Sequence, residues 1–395
     1  MQKVKNTIFD TPFGGGHFVA TLWAKKWFQF IKDNPEKHWD FEWLSKSPNI
    51  TWNIIQANPN IPWDFDFLSK NPIITCDIIQ ANPNLPWSFE GLSENPNITW
   101  AFVQANLDKP WNFYLLSRNP AITVDIVQAN LDKPWNFYML SQNPSITWDI
   151  VQANPNLPWS FEGLSQNPNI TWDIIQANPN LPWDFDFLSQ NPIITGDIVQ
   201  ANPNLPWSFK YLSKNPSITW AFIQANLDKP WDFGWLSENP SITSDIVEAN
   251  PDLPWNFYYL SGNQNITWAI VQANLDKPWS FYWLSRNPSI TWDIVQANPN
   301  LPWDFGALSE NPSITWDIVE ANPDLPWDFY YLSANPMSAA KEKHIKELTR
   351  SFAIISAWVF KLKTNPKYIL CRKWMAQVQE EYYDINPWPS TASTE

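Results

Sequence analysis

Glycine, histidine and cysteine are scarce in this chain, at 9, 3 and 2 of 395 residues. So little glycine argues against the tight, glycine-rich turns of a β-helix, and Gly14-Gly15-Gly16 lacks the following Gly-Lys-Ser/Thr of a phosphate-binding loop. The histidines, His17, His38 and His344, are too few and too scattered to suggest a catalytic or metal-ligating cluster. Two cysteines, Cys76 and Cys371, supply neither a disulfide framework nor a zinc site, and a reduced, intracellular compartment fits them best. Long apolar runs are also missing. The most apolar, Ser351 to Phe360, is too short to span a bilayer, and the N-terminus lacks the apolar segment of a signal peptide. The expectation is a soluble protein, not secreted, with no membrane span. Basic charge is short where it would matter for phosphate: residues 39–336 hold 10 Lys and Arg against 30 Asp and Glu, a field that repels a nucleic-acid backbone.

What the chain has instead is proline, 37 residues, tryptophan, 29 residues, and a strict period. Thr51, Thr75, Thr99, Thr123, Thr147, Thr171, Thr195, Thr219, Thr243, Thr267, Thr291 and Thr315 are 24 residues apart, and a tryptophan recurs at the same spacing from Trp39 to Trp327. Such a period marks a solenoid, whose units are each too small to bury an apolar face alone. Each unit contains two half-repeats, as in Ile146-Thr-Trp-Asp-Ile-Val-Gln-Ala-Asn-Pro155 and Trp159-Ser-Phe-Glu-Gly-Leu-Ser-Gln-Asn-Pro168. Both read as short helices. Thr147 and Ser160 are placed as N-caps, Asp149 lies in a first turn, and Ile146 and Trp159 precede the caps as staples to Val151 and Leu164. Asn-Pro then ends each helix. Twice-repeated capping and the absence of a period-2 pattern argue against a β-solenoid. The prediction is an all-α solenoid of twelve to thirteen helix-turn-helix repeats with helical end caps. Residues 1–26 would form an N-terminal capping segment, 27–336 the array, and 337–395 a helical C-terminal cap and flexible tail. Stacked at about 8–10 Å per helix, the array would be a rod on the order of 100 Å long.

Comparison of copies separates constant from variable positions. In the second helix the first and fourth positions, N1 and N4, are Phe and Leu throughout, whereas N2, N3 and N6 vary and share one face of the helical wheel. That face carries Trp43, Phe67, Tyr114, Tyr138, Phe187, Tyr211, Trp235, Tyr258, Tyr259, Tyr282, Trp283, Tyr330 and Tyr331, interspersed with charges. Exposed aromatic stripes mark interaction surfaces, although the same rings could wedge between units. In the first helix N1 is Trp in eight copies but Cys76, Val124, Gly196 or Ser244 in the others, a tolerance that suggests an open site. The Asn-Ile-Thr sequons beginning at Asn49, Asn97, Asn169 and Asn265 owe their threonine to the N-cap and are not expected to carry glycans.

Beyond the array, residues near 17–27 read as an N-terminal helix. Ile345, Leu348, Phe352, Ile355, Val359 and Leu362 give an amphipathic C-terminal helix, and another follows Asn365-Pro366. The basic residues of 341–373 also suit a contact with a charged or membrane surface.

The Asn-Pro-x-Ile-Thr-Trp-Asp-Ile-Val-Gln-Ala-Asn-Pro-x-x-Pro-Trp-Asp-Phe pattern resembles the Asn-Pro/Trp-rich repeat proteins of giant amoeba-infecting, mimivirus-like viruses, over about 27–336 and again at Asn365–Arg372. The resemblance implies a viral origin, hence host cytoplasm or virion, and repeat architecture; it implies no activity. Together these readings predict a non-enzymatic scaffold, with no cofactor and no metal, that binds protein or peptide partners through the aromatic ridge. A structural part of a viral particle is the alternative. Single-stranded nucleic-acid binding is disfavoured by the acidic array.

Overall fold

The structure, a computed structural model, describes residues 15–364. Among them it contains 27 helices and no strand, in an unbroken alternation of first and second helices. Its contacts divide the chain into two bodies, Ala24–Ser338 and a second drawn from both ends, Met1–Trp23 with Ala339–Glu395.

Capping chemistry starts nearly every helix. In the second helices the Asp, Ser or Asn before Phe is extended and its side chain accepts a first-turn N–H, as Asp64 does from Asp66 and Phe67; Ser208 alone does not. The threonines are N-caps in all twelve first helices, yet Oγ1 accepts a bond in only five, at 3.3–3.4 Å. Thr147 is not among them. Its contribution is the extended backbone, whose carbonyl accepts from Val151 at 3.2 Å. The Asn that closes each first helix folds back on it, Asn58 Nδ2 donating to Ile54 O, while the next tryptophan's indole, Trp63 Nε1, donates to Asn58 O. Asn and Trp thus fix the turn as well as ending the helix.

Helices of six residues do not persist alone, and three relationships join each unit to the next. The serine at N5 of every second helix is buried. Its Oγ accepts the backbone N–H of the next unit's second N-cap, as Ser45 does from Asp64 at 2.9 Å. The linker tryptophan packs edge-on against the preceding unit's N1 phenylalanine, as Trp111 does against Phe89 at 5.1 Å and 90°. Finally, in units 2 to 13 the Asn after the second helix inserts its side-chain amide into the preceding unit: Asn95 Nδ2 donates to the carbonyls of Ser69, Asn71 and Ile74. Each such rung satisfies carbonyls that would otherwise be buried without a donor.

The last unit is joined to the first by the same relationships. Asp40 N donates to Ser333 Oγ at 2.9 Å across 293 residues. The usual interval is 19, and 293 plus 19 is 312, or thirteen times 24. Trp39 meets Phe329 edge-on at 5.1 Å and 89°, and Asn49 Nδ2 donates to Pro336 O across 287 residues, as Asn97 does to Pro72 across 25. The array therefore closes on itself, and the expected rod is not formed. Because the closing step repeats the step between neighbours, the operation relating units is a rotation of about 28°, one thirteenth of a turn, without translation. Thirteen units, 27–50 through 315–338, complete the circle, and residues 27–33 of the N-terminal helix Gly15–Asp33 serve as the first helix of unit 1. With the first and last units paired, the array has no open end that a terminal unit must cover.

In such a ring the distance between equivalent points grows in proportion to their distance from the axis. Neighbouring second helices approach closely at most joins, while first helices stand further apart with tryptophan rings between them, as in the Trp52–Trp87 pair. The second helices therefore form the inner tier. At about 8–10 Å between neighbours, their axes lie about 17–21 Å from the centre.

In the second body, Trp23 meets His344 at 5.8 Å between ring centres. The C-terminal helix runs Ser338–Thr364, with Ile345 and Leu348 half-buried. The side chains of Phe352, Ile355, Val359 and Leu362, and the expected helix after Pro366, lie outside the described residues.

Candidate functional site

The three variable positions do not behave alike. N2 points away from the wall: Tyr114, Tyr258, Tyr282 and Tyr330 are exposed, as are Glu42, Asp66, Glu90, Glu162, Asp186 and Lys210. Tyr138 is the half-buried exception, its hydroxyl accepting from Gln166 of the next unit at 3.0 Å. N3 points along the row onto N2 and N6 of the preceding unit. Trp43, Phe67, Phe187, Tyr211, Trp235, Trp283 and Tyr331 are accordingly half-buried. Trp235 lies under Lys210 and Lys214 of the preceding unit, at 5.1 and 4.2 Å, and 5.5 Å from Tyr211. Trp283 stands 6.5 Å from Tyr258. Tyr259 overlies Gly234, and Tyr331 overlies Gly306; Tyr259 remains exposed. The aromatic ridge is thus two rows, an exposed tyrosine row at N2 and a wedged row at N3. Where N3 is glycine, at Gly91 and Gly163, the helices close to backbone contact. A Cβ on Gly163 would stand 2.6 Å from Tyr138 O.

Charge is sorted between the tiers. Of 30 acidic and 10 basic residues in 39–336, the N2 and N6 positions hold 8 and 6, leaving 22 and 4 elsewhere. The acidity that argued against an anionic ligand belongs to the N-caps, first helices and linkers. The inner row is close to neutral, and five of its six cations sit over aromatic rings, as Lys46 does over Trp43 and Phe67 and Arg286 over Tyr282 and Trp283. In the linkers the Lys109 ammonium, 3.0 Å from Asp108, holds that exposed carboxyl below its ordinary range, and Lys133 does the same for Asp132.

The first-helix N1 site is filled where an open site was expected. In seven of the eight copies with Trp at N1 its ring meets the next unit's linker tryptophan, as Trp148 meets Trp183 at 5.7 Å, while Trp316 meets Phe30. Where it is Cys76 or Gly196, the next unit carries Phe at N3 in place of Ile, and Phe102 or Phe222 takes over the contact, 6.1 Å from Trp111 or Trp231. Gly196 is buried, and a Cβ there would come within 2.7–2.9 Å of Phe222. Ser244 is buried too, its hydroxyl within 3.1 Å of Thr267 Oγ1. Trp and Gly alternate here because the neighbouring unit compensates. The pairing of Cys76 and Gly196 with a following Trp-Ala-Phe is visible in the sequence, whereas Ser244 is followed by Trp268-Ala-Ile270.

The sequon asparagines are also engaged between units: Asn97, Asn169 and Asn265 donate to Pro72, Pro144 and Pro240 carbonyls, and Asn49 is buried. Among the described residues, no group of three or more His, Cys, Asp or Glu side chains could hold a metal ion, and no helix is long and apolar enough to cross a membrane. A cavity of about 320 Å³ lies on the ridge, lined by Glu94, Leu115, Arg118, Asn119 and Pro120. No protein-family model, curated protein or solved structure matches the chain.

Proposed function

We propose that this protein is a non-enzymatic binding scaffold, and that a protein or peptide partner engages the tyrosine row on the inner tier. The observation carrying this reading is the division of the ridge. The N3 rings have a packing role, whereas Tyr114, Tyr258, Tyr282 and Tyr330 are 38–50% exposed, and most of the N2 row makes no contact that the wall requires. Tyrosine offers large, rigid contact area and a hydroxyl at small entropic cost, which is why it is enriched in binding surfaces. The row is concentrated in units 10, 11 and 13, beside Tyr259 and Trp283.

Selection from a random displayed-peptide library on the immobilised protein tests the reading, using wild type and the Tyr258→Ala/Tyr282→Ala/Tyr330→Ala variant. Peptides enriched on wild type and lost on a variant with unchanged thermal stability support it. Equal enrichment on both removes the tyrosine row as the site. Retention on single-stranded DNA at low salt that is lost in the variant would replace the peptide reading with a nucleic-acid one.

A further inference from the structure

Thirteen interfaces close the ring, and twelve of them carry an asparagine rung. From Asn71 to Asn335, each Asn after a second helix donates its side-chain amide to at least one carbonyl of the preceding unit, and most to two or three. At the thirteenth interface, between unit 13 and unit 1, the corresponding residue is Ser47. Its hydroxyl accepts from Asn49 N at 3.2 Å, as the Asn side chain does elsewhere for the residue two positions on. A serine has one short donor where the amide has two, so the local turn is kept and the rung to Ser333 and Asn335 is lost. This interface differs in two more ways. No peptide bond links its two sides, whereas any other pair stays tethered by the chain itself; the chain ends that leave the two sides meet at Trp23 and His344. On its unit 13 side the chain leaves the repeat through Met337, the one described non-glycine residue with positive φ, at 51°. Left-handed backbone at such a residue stores strain.

We infer that the ring is gated: it opens and recloses at the interface between units 13 and 1 in preference to the other twelve. The closing contacts include the Asp40–Ser333 and Asn49–Pro336 hydrogen bonds, the Trp39–Phe329 and Phe30–Trp316 ring pairs, and Lys26 and Lys37 over Trp316 and Phe329. Opening breaks these together, full parting of the two sides also separates Trp23 from His344, and the loss of curvature is shared as a small rotation at each of the twelve intact interfaces. A gate of this kind admits to the inner tier a partner that has no free end to thread. The inference does not depend on what the tyrosine row binds.

Native-state hydrogen exchange of the full chain tests it, because each interface carries an equivalent reporter amide bonded to a buried serine. Asp40 N–H reports the gate, and Asp184 and Ser208 N–H report tethered interfaces. The gate amide is expected to exchange at least about tenfold faster, since a buried hydrogen bond changes an equilibrium by about that factor. Ser47→Asn, which installs the residue the other twelve units already accommodate, should slow Asp40 exchange about tenfold and leave Asp184 and Ser208 unchanged. Equal protection of the three amides in the wild type, or a Ser47→Asn effect spread evenly over all of them, would overturn the gate.

Discussion

Asp40 and Ser333 stand in the same relation as Asp64 and Ser45: a backbone N–H donated to a buried serine hydroxyl at 2.9 Å. The first pair is separated by 293 residues and the second by 19. In a closed ring the long-range bond matters as much as the short-range one. Ser333→Ala leaves the Asp40 N–H without its acceptor and is expected to destabilise the protein by about 1–3 kcal/mol. Ser189→Ala should cost the same within error. Thermal or denaturant melts compare them, and a silent Ser333→Ala beside a costly Ser189→Ala would mean that the array is open.

The asparagine rungs should be among the most sensitive polar positions. Asn215 Nδ2 donates to Ser189 O, Asn191 O and Ile194 O at 2.9–3.0 Å. Asn215→Ala strips three buried carbonyls of one donor group and is expected to cost about 2–4 kcal/mol. Asn202→Ala, at the half-buried end of a first helix with a single bond to Ile198 O, should cost clearly less in the same melt.

Gly196 and Phe222 occupy one space between adjacent units. Gly196→Trp alone should be severely destabilising, because the indole and the Phe222 ring overlap. Adding Phe222→Ile recreates the Trp and Ile pair found at other interfaces and should recover much of the loss. A double-mutant cycle on unfolding free energies is expected to give a coupling of about 2 kcal/mol or more. Additive effects would show that the two residues do not share the site.

Glycines on the second helices should separate by position. Gly163→Ala forces a Cβ against the Tyr138 carbonyl and should cost about 1–3 kcal/mol. Gly262→Ala, whose Cβ would meet nothing closer than 3.6 Å, should stay within about 0.5 kcal/mol of wild type. Urea titration of the two variants distinguishes them.

The exposed tyrosines should be separable from the wedged aromatics by stability alone. Tyr258→Ala and Tyr330→Ala are expected to shift stability by no more than about 0.5 kcal/mol. Trp235→Ala, which removes the ring beneath Lys210 and Lys214, should cost about 1–3 kcal/mol.

Local structure was legible because capping, stapling and proline stops act within ten residues. Leu164 and Ile146 are buried, as their pattern assigned. Thr147 shows the limit of that reading, since a preferred capping residue can start a helix through its backbone alone. The Leu-Ser-x-Asn-Pro sequence could be read as a helix end, but the inter-unit role of Ser and Asn could not, because a hydrogen bond to the next copy leaves no local signature. Curvature was illegible for a related reason. It is the sum of small rotations at interfaces, so the difference between a rod and a closed circle was carried by wedge angles that no single residue encodes. In the sequence the ridge is one surface, because a helical wheel places N2 and N3 together and ignores the neighbouring unit onto which N3 leans.

A circle also counts. Residues 63–113 nearly repeat as 183–233, an offset of five units, as expected of an array that grows by copying blocks. An open array could gain or lose a unit with little effect on the rest. Here every join subtends one thirteenth of a turn, and a single added or deleted unit would change the angle demanded of all the others. Length in this protein is therefore selected in whole numbers, by geometry distributed over the entire wall.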